Sequence, residues 1–133
     1  MTDQKKFPEV KLAHGTKLPQ VGLGLWKVTD PHDFQTASET AVHAGYRHFD
    51  TAQIYGNEHL LGQAWCKSGL KRKDIFITTK IFINHFGAKL TPKSFEKSLK
   101  NLQTDYVDLL LLHFPVTLAR KSAWKALETL KSE

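Results

Sequence analysis

Short hydrophobic runs alternate with amphipathic segments along the whole chain. Near the start, VKLAHGTKLPQV contains two short runs on either side of His14-Gly15, which predicts a β-hairpin at about residues 8–21. Four later runs predict four strands: QVGLGLW (20–26), RHFDT (47–51), DIFITTK (74–80) and YVDLLLLHFP (106–115). The last run is apolar without alternation from Leu109 to Leu112, which indicates a strand buried on both faces.

A helix is predicted after each of these four strands. Asp30 followed by Pro31 is typical of a helix N-terminus, and this helix is expected to run toward Gly45. The second helix is predicted from about residue 57 to residue 68, with a glycine just after it as a stop signal. The third opens at Thr91-Pro92, and the fourth begins near Lys121.

Apolar side chains at helical spacing predict which face of each helix is buried. The first helix has Phe34, Ala37, Ala41 and Ala44 at this spacing. In the third helix, Phe95 and Leu99 share one face, and Leu102 continues it. In the fourth helix, the predicted inner stripe consists of Trp124, Leu127 and Leu130.

Strand and helix alternate at a spacing of roughly 30 residues, which predicts parallel strands joined by crossover helices. A doubly wound nucleotide-binding sheet would need a glycine-rich turn after its first strand. Gly22 and Gly24 supply only G-x-G, so this architecture is set aside. The prediction is therefore an α/β fold, a parallel (β/α) barrel of the TIM type. Such barrels have eight β/α units in about 250 residues, and this chain supplies the first four after its hairpin.

Composition narrows the classes of function. The 133 residues are 41% hydrophobic and 24% charged, with a net charge of +6. The lysines are scattered, and the one basic triplet, residues 71–73, precedes a predicted strand. A solvated surface is therefore favoured over nucleic-acid binding. Cys66 is the single cysteine, no run of about 18 apolar residues occurs, and the first residues lack the apolar core of a secretory signal. We expect a cytosolic protein without membrane association.

Chemically versatile side chains stand at the predicted carboxyl ends of the strands. Asp50 ends the second strand, Lys80 ends the third and His113 follows the fourth, while Tyr55 lies in the loop after Asp50. Each has a structural alternative: a turn cap, a solvated lysine, a buried histidine and a rim tyrosine. In a β/α barrel these four ends share one rim, which favours a common catalytic role over four coincidences.

The four side chains together suit the reduction of a carbonyl group. A free tyrosine hydroxyl has a pKa of about 10, and a neighbouring ammonium favours its phenolate. Lys80 would provide that ammonium, and Asp50 would hold it in place. A neutral His113 could donate a hydrogen bond to a carbonyl oxygen. The hydride for such a reaction must come from a cofactor.

Other chemistries receive less support from the sequence. Tyr55 and Lys80 are far apart in the chain, so they do not form the tyrosine–lysine pair four residues apart on one helix that short-chain dehydrogenases use. No G-x-S-x-G occurs, which argues against that class of hydrolase. The histidines are dispersed without paired ligand spacing, so no metal site is predicted.

The segment GYRHFDTAQIYGNEHLLG (residues 45–62) resembles the signature of the aldo-keto reductase family, with its aspartate, tyrosine and glutamate at the family's spacing. ITTK ending at Lys80 and His113-Phe114-Pro115 resemble two further family segments. The resemblance covers the chain from the hairpin to the last helix. It implies NADPH-dependent reduction of aldehydes and ketones, with Tyr55 as the proton donor and with Asp50, Lys80 and His113 as its catalytic partners.

The same resemblance implies where ligands contact the chain. Cofactor contacts are implied for Gly24, Leu25, Trp26 and Asp50. Substrate contacts are implied for Tyr55 and His113 and for an aromatic wall, which consists of Trp26, Phe82 and Phe114. Ordinary core packing remains the alternative for these aromatic residues. Many relatives carry tryptophan at the latter two positions, so phenylalanine here suggests a roomier and less polar pocket.

The chain departs from the family pattern after its fourth helix. A strand ending in serine-asparagine, a tyrosine that stacks on nicotinamide and basic residues for the 2′-phosphate do not occur in these 133 residues. We therefore interpret residues 1–133 as the N-terminal half of a reductase barrel, inactive by itself and prone to self-association through its open strand edges. The alternative function is a non-catalytic interaction module or accessory subunit built on the same fold.

Overall fold

The computed structural model describes residues 7–116 and 118–133. Its strands are β1 (Glu9–Lys11), β2 (Lys17–Pro19), β3 (Leu23–Gly24), β4 (His48–Asp50), β5 (Phe76–Ile81) and β6 (Leu109–Leu112). Its α-helices are α1 (Pro31–His43), α2 (Glu58–Lys67), α3 (Leu90–Leu102) and α4 (Arg120–Ser132). Short 3-10 helices lie in the connections between these elements, and one of them, Gln53–Tyr55, follows β4.

Strands β1 and β2 form the predicted hairpin. They pair antiparallel, with Val10 opposite Leu18. The chain reverses at His14 and Gly15, whose φ angles of 64° and 87° lie in the left-handed region that glycine adopts without strain. The hairpin predicted at about residues 8–21 is confirmed.

The other four strands form one parallel sheet in the order β3-β4-β5-β6. Neighbours in the sheet are also neighbours along the chain, as in a β/α barrel, whereas a doubly wound sheet reverses its order at a switch point. The four predicted strands are confirmed. The first is much shorter than its apolar run suggested, because only Leu23 and Gly24 pair with β4.

The two faces of this sheet have different partners. Phe49, Ile77 and Leu102 are buried with α1 and α2 residues in one apolar cluster on the helix side. A second cluster joins Ile81 to α4 through Ala123. Because side chains alternate along a strand, Asp50 and Lys80 project from the opposite face.

Helix starts agree with the sequence where the cap chemistry is strong. The Asp30 carboxylate accepts hydrogen bonds from the backbone N–H groups of His32 and Asp33, both at 2.9 Å, and Pro31 is the first residue of α1. Asp30 is thus the predicted N-cap. After α2, Gly69 has a φ of 76°, which suits the predicted glycine stop.

The buried face of α3 differs from the prediction. Phe95 and Leu99 are only partly buried, and the fully buried residues are Thr91, Ser94, Ser98 and Leu102. The hydroxyls tolerate burial because they are hydrogen-bonded: Thr91 donates to the His85 carbonyl at 2.9 Å, and Ser94 donates to the Thr91 carbonyl at 3.0 Å. Of the predicted face, Leu102 is fully buried and Phe95 packs partly buried against the second cluster, so the buried face is shifted towards the hydroxyl residues and not reversed.

Two predictions near the end of the chain differ from the structure, the second of them in part. Strand β6 is not buried on both faces: Leu111 is 38% exposed, because β6 pairs only with β5 among the described residues. In α4, the predicted inward position of Leu127 is confirmed, and Leu130 packs partly buried against the same cluster. Trp124 is 57% exposed, and Ala123 and Ala126 are buried instead. The Trp124 indole instead donates to Glu128 along the helix surface at 3.0 Å. Small alanines allow the helix to approach the sheet closely, and tryptophan would not fit there.

The basic triplet has a structural use. Arg72 donates to the Asp108 carboxylate at 2.8 Å, and its guanidinium lies 4.0 Å from the centre of the Tyr106 ring. The Asp108 carboxylate also accepts a hydrogen bond from the backbone N–H of Ile77. Arg72 is thereby linked to the start of β5 and to the residue that precedes β6. Among the described residues, no helix is long and apolar enough to span a membrane.

Candidate active site

Adjacent parallel strands bring Asp50 and Lys80 together. Asp50 is the last residue of β4 and lies opposite Thr78, and Lys80 lies two residues further along β5. The Lys80 ammonium donates to the Asp50 carboxylate at 2.6 Å and to the Thr51 carbonyl at 2.8 Å. The Lys80 side chain is only 13% exposed, so burial strengthens the ion pair.

Tyr55 joins this pair from the following loop. It ends the short 3-10 helix Gln53–Tyr55, and Gly56 follows with a φ of 68° that reverses the chain. The Lys80 ammonium lies 3.4 Å from the Tyr55 hydroxyl oxygen and 5.0 Å from the ring centre. The hydroxyl, ammonium and carboxylate predicted from the sequence therefore form one cluster.

His113 faces the same cluster. Its backbone N–H donates to the Ile81 carbonyl at 2.9 Å, which fixes the residue just beyond β6. Its ring centre lies 5.9 Å from that of Tyr55 in an edge-on arrangement. Burial lowers the pKa of His113 below its ordinary value of 6.5. The Lys80 charge lowers it further, and Asp50 opposes both. The imidazole is therefore neutral near pH 7.

The Nδ1 atom of His113 is buried and has no hydrogen-bond partner among the described residues. Phe114 stacks on the imidazole at 4.5 Å between ring centres, with 3° between the planes, and Phe82 meets it edge-on at 6.1 Å. Phe114 adopts a φ of 75°, an uncommon conformation for a bulky residue that turns the chain immediately after the histidine. Two of the predicted wall residues thus contact His113.

The residues predicted for cofactor contact lie at the end of β3. Gly24 pairs with Asp50 in the sheet, and no atom lies within 4 Å of the place where a Cβ would stand. Trp26 is 65% exposed, with the Lys27 ammonium 4.6 Å above its ring. Leu25 is fully buried, and its backbone N–H donates to the Asp50 carbonyl at 3.0 Å. The cofactor contacts of these residues stay predictions.

The sequence reasoning missed Gln53. Its amide oxygen accepts from the Phe82 backbone N–H at 2.9 Å and lies 3.0 Å from His85 Nδ1. Its amide nitrogen donates to the Ser94 carbonyl at 3.2 Å and to the Ser98 hydroxyl at 3.1 Å. Gln53 therefore links the 3-10 helix, which contains Tyr55, both to α3 and to the loop after β5. In the sequence, the one indication of this role is that Gln53 stands two residues before Tyr55.

A second missed residue supports the backbone beneath Asp50. The buried Asn57 side chain accepts from the Thr51 hydroxyl at 2.7 Å and donates to the carbonyls of Leu25 and Val28, at 2.8 and 2.9 Å. It thereby joins the ends of β3 and β4. Such a fully satisfied buried amide stabilises one arrangement of the loops.

One group of potential metal ligands occurs among the described residues. Ligand atoms of Asp30, His32 and Asp33 lie within 4.8 Å of one another, but all three residues are exposed and Asp30 already caps α1. The group lies outside the cluster described above. Exposed acidic groups of this kind are common at helix N-termini without an ion.

Comparison with known proteins agrees with this geometry. The model of the Aldo/keto reductase family matches residues 20–133. Glyoxal reductase of Bacillus subtilis is 42% identical over 121 residues, which cover 91% of this chain and 44% of that enzyme. The chain therefore spans less than half the length of this relative.

Solved structures give the same result. An aldo/keto reductase from Brucella melitensis superposes with a TM-score of 0.90 at 44% identity, covering 96% of this chain and 50% of that one. The Bombyx mori aldo-keto reductase, solved in complex with NADP, superposes with a TM-score of 0.87 at 27% identity, covering 96% and 48%. These likenesses confirm the α/β fold as part of a TIM-type barrel. The chain belongs to the aldo/keto reductase family.

Proposed function

We propose that residues 1–133 form the N-terminal, catalytic half of an NADPH-dependent reductase that converts aldehydes and ketones to alcohols. The observation that carries this proposal is the Lys80 ammonium, which contacts Asp50 at 2.6 Å and the Tyr55 hydroxyl at 3.4 Å. Glyoxal reductase, a relative at 42% identity, supports small carbonyl compounds as the substrate class.

Tyr55 is the proposed proton donor. As the carbonyl carbon is reduced, negative charge develops on the oxygen, and the Tyr55 hydroxyl transfers its proton to that oxygen. The phenolate left behind is stabilised by the Lys80 ammonium. Asp50 accepts from the same ammonium and keeps it oriented, which removes the cost of ordering the lysine during the reaction.

His113 is proposed to position the substrate. A neutral imidazole can donate from one ring nitrogen, and the lowered pKa of His113 keeps it neutral near pH 7. Its contacts with Phe82 and Phe114 fix the plane of the ring. A hydrogen bond from His113 to the carbonyl oxygen would aim that oxygen at Tyr55.

The end of β3 fits the nicotinamide cofactor. The open space at Gly24 lies beside Asp50, and the exposed Trp26 offers an aromatic surface next to it. The Bombyx mori relative in complex with NADP supports NADPH as the cofactor. When bound, NADPH supplies the hydride. Gly24, Leu25, Trp26 and Asp50 would form its contacts on this half of the barrel.

A chimera tests this function. The chain is fused to the part of Bacillus subtilis glyoxal reductase that it does not cover, and aldehyde-dependent loss of NADPH absorbance is measured. We expect reduction that depends on Tyr55. A folded chimera that binds NADPH but reduces neither glyoxal nor simple aldehydes and ketones would refute the proposal.

A non-catalytic interaction module is the second candidate. The supporting observation is an exposed apolar set near the sheet edge, in which Leu111 is 38%, Phe114 55% and Leu118 85% exposed. Such residues favour pairing with another protein or another copy of this chain. Tyr55-dependent reduction by the chimera would favour the reductase, and its absence would favour this alternative.

A further inference from the structure

A cavity of about 200 Å³ lies between α1 and α2, on the helix side of the sheet. Its walls are mainly apolar: Val42, Phe49, Leu61, Ala64, Trp65 and Ile75. Phe49 directly precedes Asp50 on β4, so the two side chains point to opposite faces of the sheet. The cavity is therefore separate from the Tyr55–Lys80–Asp50 cluster.

One polar group in this wall lacks a partner. Ser38 lines the cavity and is 4% exposed, and its hydroxyl oxygen is buried without a hydrogen-bond partner among the described residues. A buried hydroxyl without a partner destabilises the fold by roughly 1–3 kcal/mol. The oxygen is closed off from the cavity in this structure, so a guest molecule with one hydrogen-bonding group would remove this penalty once the Ser38 side chain rotates towards it.

The size and charge of the site limit the guest. An apolar protein cavity of roughly 150 Å³ is large enough to bind benzene, so about 200 Å³ accommodates a substituted benzene ring. The surrounding residues Glu39 and Lys67 carry opposite charges. The wall is mainly apolar, and burying an unpaired ion there is costly, so a neutral guest is favoured over an anion or a cation.

Trp65 makes the wall rigid on one side. Its indole N–H donates to the Leu102 carbonyl at 2.7 Å, which holds the ring against α3. Ala64 and Leu61 on the same helix are buried, at 4% and 1% exposure. A preformed wall lowers the ordering cost of binding.

We propose that this cavity is a binding site for a small neutral phenol or aromatic alcohol, whose ring lies among the apolar residues and whose hydroxyl pairs with Ser38. The proposal does not depend on reductase activity. The site lies in the outer helix layer and is distinct from the Tyr55–Lys80–Asp50 cluster.

The test uses 4-fluorophenol and fluorobenzene, two probes that differ by the hydroxyl group. Fluorine NMR titrations of the chimera with the Bacillus subtilis reductase, which supplies the rest of the barrel, measure the affinity of each. We expect 4-fluorophenol to bind about tenfold more tightly, the value of one net hydrogen bond. In Ser38→Ala, the affinity for 4-fluorophenol should fall about tenfold, to that of fluorobenzene, whose own affinity should not change.

Ala64→Leu fills the cavity and should abolish binding of both probes, with circular dichroism verifying that the helices remain. If that variant does not fold, Ser38→Ala alone decides, since it removes a single buried oxygen. Failure of 4-fluorophenol to bind, or equal binding to the unsubstituted chimera and to Ser38→Ala, would overturn the proposal. Equal binding would mean that the probe occupies another site.

Discussion

The ammonium nitrogen of Lys80 lies 3.4 Å from the hydroxyl oxygen of Tyr55, although 25 residues separate them in the chain. Lys80 reaches this place from β5 and Tyr55 from the 3-10 helix after β4. Asp50 and the Thr51 carbonyl also hold the ammonium. These two hydrogen bonds fix the position of the ammonium, whose positive charge then lies beside the Tyr55 hydroxyl.

Replacing the proposed proton donor should abolish most of the activity. In the chimera with the B. subtilis reductase, Tyr55→Phe keeps the ring and removes the hydroxyl. We expect turnover to fall at least about 100-fold, with NADPH binding retained. Tyr46→Phe is the matched control, because Tyr46 packs against Phe7, remote from the cluster. Near-normal turnover in Tyr55→Phe would show that another group donates the proton.

Gln53 should be important for stability. Gln53→Ala leaves the Phe82 backbone N–H and the Ser98 hydroxyl without their partner. In the chimera, we expect the free energy of unfolding to fall by about 1–3 kcal/mol, measured by urea denaturation. Gln63→Ala, on the exposed side of α2, is the control and should change stability little. Equal effects of the two substitutions would argue against the anchoring role of Gln53.

Gly62 should tolerate no side chain. A Cβ at Gly62 would lie 2.3 Å from the Asn101 carbonyl oxygen and 2.9 Å from the Leu102 carbonyl carbon. Both are backbone atoms, so α2 and α3 would have to separate. In the chimera, we expect Gly62→Ala to lower the free energy of unfolding by about 1–3 kcal/mol or more. Gly24→Ala, which meets no atom within 4 Å, should cost less, and the reverse order would contradict the close helix contact.

Stability should decrease on the acid side of neutrality. Burial is the main cause that lowers the pKa values of His48 and His113 below 6.5. Below pH 6.5 the unfolded chain therefore binds more protons than the folded one. Stability falls as the pH drops from 6.5 towards the lowered pKa values. Urea midpoints of the chimera at a series of pH values should show this slope. The double variant His48→Gln/His113→Gln should flatten it, whereas His14→Gln, at an exposed position, should leave it unchanged.

The 133 residues purified alone should bind NADPH weakly and show no appreciable turnover. Four strands do not close a barrel, so inward side chains such as Leu111 lack the packing of further strands. Each large apolar side chain left exposed forgoes about 1.5–3 kcal/mol. We expect self-association or a loosely packed state, measured by light scattering and by NADPH fluorescence titration. A stable monomer with micromolar NADPH affinity and carbonyl reductase activity would contradict this expectation.

The sequence by itself determined the order of elements and which candidate catalytic side chains lie together. Alternating apolar runs and helix signals predicted a parallel sheet, and parallel strands share one carboxyl edge. Asp50 and Lys80 therefore had to meet once their strands were placed. Tyr55 could be added because the signature segment fixes its distance from Asp50.

Only the tertiary structure decided which polar groups could be buried. The hydroxyl of Ser98 on α3 can be buried because Gln53, 45 residues away in the chain, donates a hydrogen bond to it. The apolar periodicity of α3 does not indicate such a distant partner. Trp124 remains exposed because the smaller Ala123 packs against the sheet. For the buried Nδ1 of His113 and the buried hydroxyl of Ser38, the residues that the structure describes supply no such partner, and the local sequence did not indicate this either. Hydrogen-bond satisfaction is set by residues distant in the chain, whereas periodicity reports only the average burial of a local segment.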